Sequence, residues 1–126
     1  MRTMQPVFKK QVHGGAINLL DVSAGSYCVT GAADKQIKTF DIFRSFKPLT
    51  MMAATDAVMC GQTVEHLVII GSGDGNILCF NLESGECLYG YGVDQKGAVH
   101  CIGINEDKDC IVTGGDSGMG LCLNMI

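Results

Sequence analysis

Short apolar runs broken by glycine and acidic residues set the pattern of this chain. YCVTG (27–31), HLVIIG (66–71) and DCIVTG (109–114) are rich in apolar and β-branched residues, as expected of central strands covered on both faces. Turn residues separate them from flanking segments of similar length. The pattern predicts a first set of strands at Ala16–Val22, Tyr27–Gly31, Ile37–Ile42 and Leu49–Ala53. A second set falls at Ala57–Gln62, His66–Gly71, Asn76–Asn81 and Glu86–Tyr91. A third comprises Val99–Ile104, Cys110–Thr113 and Leu121–Met125.

These sets repeat. TGAADKQIKTFDI (30–42) and IGSGDGNILCFNL (70–82) superpose Gly31 on Gly71, Asp34 on Asp74, Ile37 on Ile77 and Phe40 on Phe80, with a period of 40 residues. A third copy, TGGDSGMGLCLNM (113–125), keeps the threonine, the glycine, an acidic turn and the apolar strand. Upstream, Ala16-Ile17, Ala57-Val58 and Ala98-Val99 stand 41 residues apart. Four strands in roughly 40–45 residues is the period of a propeller blade.

The residues resemble the WD40 family from about Met4 to Ile126. That resemblance implies an all-β fold of about three four-stranded antiparallel WD40-type β-propeller blades, spanning 13–53, 54–94 and 95–126. Residues 4–12 would be a strand of an adjoining blade. In the family a His, a Ser or Thr, an Asp and a Trp form a hydrogen-bond chain within each blade. By resemblance His13, Thr30 and Asp34 fill three of those places, and Asp74, Thr113 and Asp116 are their counterparts. The chain has no Trp; Phe40, Phe80 and Leu123 stand at that place without an N–H to donate. Ala54 and Gln95 replace the His, and Ile70 replaces the Thr. Asp116 aligns only with a one-residue gap. Asp34 and Asp74 are expected to bond to backbone N–H groups in their own turns. Recurring once per blade, they read as structural and not catalytic.

Three blades cannot close a ring, since propellers use about 4–8. Three arrangements would cover the ends: a larger propeller of which this is the C-terminal part, as in the BEACH-domain family that the chain loosely resembles; two copies forming a six-bladed homodimer; or a partner donating blades. The first is the preferred expectation.

Composition narrows the function. Apolar residues make up 47% of the chain and charged residues 17%, which argues against disorder. A net charge of −4 disfavours nucleic acid, whose binders present a basic face. No segment approaches the ~18 apolar residues of a membrane span. Seven cysteines without a C-x-x-C pair suggest a reducing, cytoplasmic setting.

Candidate chemistry is thin. Cys28 with Cys110, Cys79 with Cys122, and Cys60 with Cys101 are read as repeat equivalents a blade apart, so they act as small core residues and do not form a metal site. GSGDG (71–75) is followed by a strand, which argues against a phosphate loop. GGDSG (114–118) is a blade turn without a His and Asp set. FDIFR (40–44) approximates a Trp-Asp-x-Arg docking signature with Phe for Trp and the arginine one place late; it reads as a strand end followed by a turn. No cofactor, metal or catalytic residue is expected. The expected function is a non-catalytic protein–protein interaction scaffold, with a structural subunit completed in trans as the alternative. Candidate contact residues are Lys9, Lys10, Lys35 and Asp94.

Overall fold

The computed structural model describes residues 3–6, 9–22, 27–45, 47–92, 97–118 and 120–124. Among them the fold is all-β, in three antiparallel sheets. The first contains β1 (Ile17–Asp21), β2 (Tyr27–Ala32), β3 (Gln36–Asp41) and β4 (Lys47–Ala53) in that order. The second contains β5 (Val58–Val64), β6 (Leu67–Ser72), β7 (Asn76–Asn81) and β8 (Cys87–Gly92). The third contains β9 (Val99–Ile104), β10 (Cys110–Gly115) and β11 (Gly120–Asn124). Each is a meander in which neighbours in sequence are neighbours in space. No strand end lies more than two residues from its predicted place. A 3-10 turn, Ile42–Arg44, was not anticipated; the Asp41 carboxylate accepts from Phe43 N at 3.0 Å and sets it up.

The sheets repeat down to their irregularities. A register shift near the start of the first strand occurs between Ile17 and Leu19, and again between Val58 and Cys60. The third sheet has its shift at the same place, opposite Val99 and Cys101. Pairing of the third and fourth strands breaks between Thr39 and Phe40, and again between Cys79 and Phe80. Bulges of this kind bend a strand and increase its twist, so each sheet is shaped alike.

Stacking follows from strand alternation. Successive side chains point to opposite faces, and in the middle sheet both faces are covered. Val68, Ile70, Leu78 and Phe80 pack on the first sheet with Leu19, Val29, Ile37 and Met52. Ile69, Ile77 and Cys60 pack on the third with Val99 and Ile111. β6 is accordingly buried from Val68 to Ser72. The first strand of each later sheet sits against the first two strands of the sheet before it: β5 on β1 and β2, β9 on β5 and β6.

Two glycines permit this approach. A Cβ on Gly31 would lie 2.8 Å from Val58 Cγ1, and one on Gly71 would lie 2.6 Å from Val99 Cγ1. Each valine is fully buried in the notch so formed. Gly14, by contrast, has nothing within 4 Å of such a Cβ. We expect Gly71→Ala to lose about 1–3 kcal/mol through overpacking and Gly14→Ala to change stability by less than about 0.5 kcal/mol. Urea unfolding of the two variants beside the wild type checks this; equal midpoints would mean the notch is not tight.

Candidate functional site

The turns joining the second and third strands of each sheet gather most of the polar side chains singled out in the sequence. In the first sheet, His13 enters from the preceding segment with its side chain fully buried. Its Nδ1 donates to the Asp34 carboxylate, 3.1 and 3.0 Å from the two oxygens, and its Nε2 shares a hydrogen bond of 2.6 Å with Thr30 Oγ1. Asp34 also accepts from Gly14 N at 2.9 Å and from Gln36 N at 3.0 Å. It therefore bonds both to its own turn and to the histidine. Burial pushes its carboxyl up, but the N–H groups of Gly14 and Gln36, with the His13 ring, outweigh this and hold it below the ordinary value. Phe40 is buried on β3.

The second sheet reaches the same end with different residues. Ser72 donates to Asp74, whose carboxylate also accepts from Asn76 N at 3.3 Å and Asn76 Nδ2 at 3.0 Å. Asn76 Nδ2 also donates to Thr55 Oγ1 at 3.2 Å. Burial raises the Asp74 carboxyl less than Ser72, Thr55 and the Asn76 N–H lower it. No residue in the sequence had pointed to Ser72 or Thr55, because neither occupies a family place. Ile70 and Phe80 are buried in the core.

The third sheet corrects the alignment of Asp116. Matching turn bonds, Lys35 N to Ala32 O, Gly75 N to Ser72 O and Gly118 N to Gly115 O, make residues 34, 74 and 117 equivalent. Ser117 thus holds the place of Asp34, and Asp116 sits one residue early. From there it accepts from Ala98 N at 3.0 Å and pairs with His100. The Ala98 N–H, then His100, hold its carboxyl low. His100 lies on β9, a frame from which no other unit sends a histidine, so the repeat could not flag it. Thr113 Oγ1 is buried without a partner among the described residues. Gln95, which the repeat puts at the histidine place, lies outside them, as does Asp94.

Lys9, Lys10 and Lys35 are exposed. Lys35 occupies a left-handed turn position at φ 72°, where the equivalent residues are Gly75 and Gly118 at φ 87° and 77°. The segment bearing Lys9 and Lys10 runs beside the first sheet, where Lys38 Nζ donates to Val12 O at 2.6 Å.

The cysteines are free, and Cys110 and Cys122 are neighbours across β10 and β11. Pairing of Cys28 with Phe40 and of Ile111 with Leu123 makes Cys28 the counterpart of Ile111, not of Cys110 as the alignment had it. Burial pushes the Cys60 thiol up to about 11 and raises Cys28 and Cys79 as well, which suits packing rather than nucleophilic attack. Among the described residues no three of His, Cys, Asp and Glu converge as metal ligands would. An apolar cleft of about 430 Å³ lies between the second and third sheets, lined by Ile69, Ile77, Tyr89, Ile111 and Leu123. The matching gap between the first two sheets contains buried Leu82, whose counterpart in the repeat, Met125, is outside the described residues.

Set against known proteins, the chain matches no family model and no curated sequence. Among the described residues no helix is long and apolar enough to cross a membrane.

Two outcomes test the turns. Because the folded carboxyl of Asp34 is held low, its contribution to stability is complete above the unfolded value, near ~4, and is lost as pH falls through the folded value. Asp34→Asn should therefore flatten the acid limb of a stability-against-pH curve, and an unchanged limb would show that the network carries no such linkage. Separately, Lys35→Gly should raise stability by about 0.5–1 kcal/mol by removing a left-handed non-glycine residue, read as a higher thermal midpoint.

Proposed function

We propose that the chain forms WD40-type β-propeller blades and acts as a non-catalytic protein–protein interaction scaffold. One observation carries the reading: the same step relates the first sheet to the second and the second to the third. Val58 enters the notch at Gly31, and Val99 the notch at Gly71, with matching bulges throughout. Blades set around an axis require one step repeated from sheet to sheet, and the two joints supply that repetition. The chain of His13, Thr30 and Asp34 within the first unit supports the family assignment. On this reading the segment 4–12 completes an adjoining blade, beside the open edge of a three-stranded unit such as the third sheet.

A scaffold suits the side chains. The carboxylates of Asp34, Asp74 and Asp116 are engaged by neighbouring donors, and the buried thiols are held in their neutral form. Partners are other proteins, met at the turns that carry Lys35 and at Lys9 and Lys10. Seven unjoined cysteines support a cytoplasmic location. The alternative, a structural subunit whose propeller is completed in trans, is favoured by the exposure of Ile17 and Leu20 on the first sheet and of Val112 on the third.

Electron microscopy of the purified particle should show sheets arranged as a wheel, and a flat stack would overturn the architecture. Proximity labelling in cells tests the role. The wild-type chain should mark a discrete set of proteins that Lys9→Glu/Lys10→Glu/Lys35→Glu loses at unchanged thermal midpoint. Identical labelling by both would remove these lysines from the contact surface.

A further inference from the structure

The two inter-sheet joints leave their own halves at opposite ends of the stack. Each joint combines a notch half and a knob half. In the first, Leu19 and Gly31 face Val58 and Gly61; a Cβ on Gly61 would lie 3.0 Å from Leu19 Cδ2. In the second, Cys60 and Gly71 receive Val99, and Ile102 packs on the same cluster. Strand register identifies the unused halves. Cys101 pairs with Gly114 as Leu19 pairs with Gly31 and Cys60 with Gly71, which makes a notch on the outer face of the third sheet. Leu20 pairs with Thr30 as Gly61 pairs with Ile70 and Ile102 with Thr113, which together with Ile17 makes a knob on the outer face of the first.

These halves are uncovered. The knobs in use, Val58 and Val99, are 0% exposed, whereas Ile17 is 48% exposed and Leu20 68%. On the notch side Cys101 is exposed, Val112 is 51% exposed, and a Cβ on Gly114 would meet nothing within 4 Å but Cys101 Sγ, within its own sheet. Volumes also match. The first joint sets Leu19 against Gly61, and the second sets Cys60 against Ile102. The open halves would set Cys101 against Leu20 and Gly114 against Ile17, repeating the second joint nearly residue for residue.

We propose that the occupant of both faces is a second copy of this chain, joined head to tail, so that two copies close one ring of six sheets. The proposal rests on the propeller reading above and adds its partner. A contact between unlike faces forms a ring when its rotation closes and a filament when it does not, and six sheets lie within the range that closes. A second copy covers both apolar faces at once, because whatever fits the notch must resemble this chain's own knob.

Light scattering coupled to gel filtration tests this with the intact chain. The wild type should have twice the 13.4 kDa mass of one chain. Leu20→Glu and Gly114→Val should each weaken pairing at least tenfold and elute as monomers, with the wild-type circular dichroism and thermal transition measured at equal dilution. Mixing the two variants should restore a pair, since one intact joint remains between them. A wild-type monomer, a mass that climbs past two chains with concentration, or a dimer that survives either variant would overturn the proposal. Gly71→Val separates this from the propeller reading: it should disrupt folding through the internal joint. If it does so while the wild type stays monomeric, only the pairing fails; if it melts like wild type, the repeated step itself fails.

Discussion

A valine seated in the notch left by a missing side chain fixes how these sheets approach each other. Gly31 and Gly71 lie on second strands, and the valines that meet them lie on the first strands of the next sheet. A methyl group on Gly31 would force the strands apart where the burial of Val29, Ile37, Val68 and Ile70 depends on their closeness, and one on Gly71 would do the same to Ile69, Ile77 and Ile111. Packed interiors relax only partly around such a change. The hydrophobic core of this chain is therefore less a single volume than two copies of one contact.

The polar turns vary more freely than this contact. In the first unit a histidine links the threonine to the aspartate; in the second, serine and asparagine stand in; in the third, the aspartate is displaced and a strand histidine reaches it. All three solutions satisfy a carboxylate at the turn and tie the start of the sheet to it. The requirement is that the carboxylate have donors, which several residue types can supply. The requirement at the notch is the absence of a Cβ, which only glycine can meet. This difference explains why Gly31, Gly71 and Gly114 recur while the histidine place holds His13, Ala54 and Gln95.

Legibility in the sequence follows the same division. Strand positions were readable because apolar runs and turn residues recur at one period, and β2, β6 and β10 carry the strongest runs. The two-sided cover of β6 was visible in HLVIIG, which has no polar position among Leu67–Ile70. Features without a periodic signal escaped. Asp116 was set at the turn place by its acidic character at the cost of a one-residue gap, whereas the ungapped repeat and the bond from Gly118 N to Gly115 O both give that place to Ser117. His100 was missed because its partner comes from a different frame of the repeat. The 3-10 turn at Ile42–Arg44 depends on a single capping carboxylate, a local choice with no periodic signature.

Where variation is tolerated, recognition can be built. Residues 33–35, 73–75 and 116–118 share one backbone course, with the third residue in the left-handed region each time. They carry Ala-Asp-Lys, Gly-Asp-Gly and Asp-Ser-Gly upon it. The backbone is held by strands on either side, and two of those strand pairs are anchored through the buried notch. Side chains at these turns differ in charge and size from unit to unit, whereas a change at Gly31 or Gly71 acts on the joint itself. The same joint recurs while the turns beside it differ between units, and surface loops that can vary on a fixed frame are the physical ground on which the scaffold role is proposed.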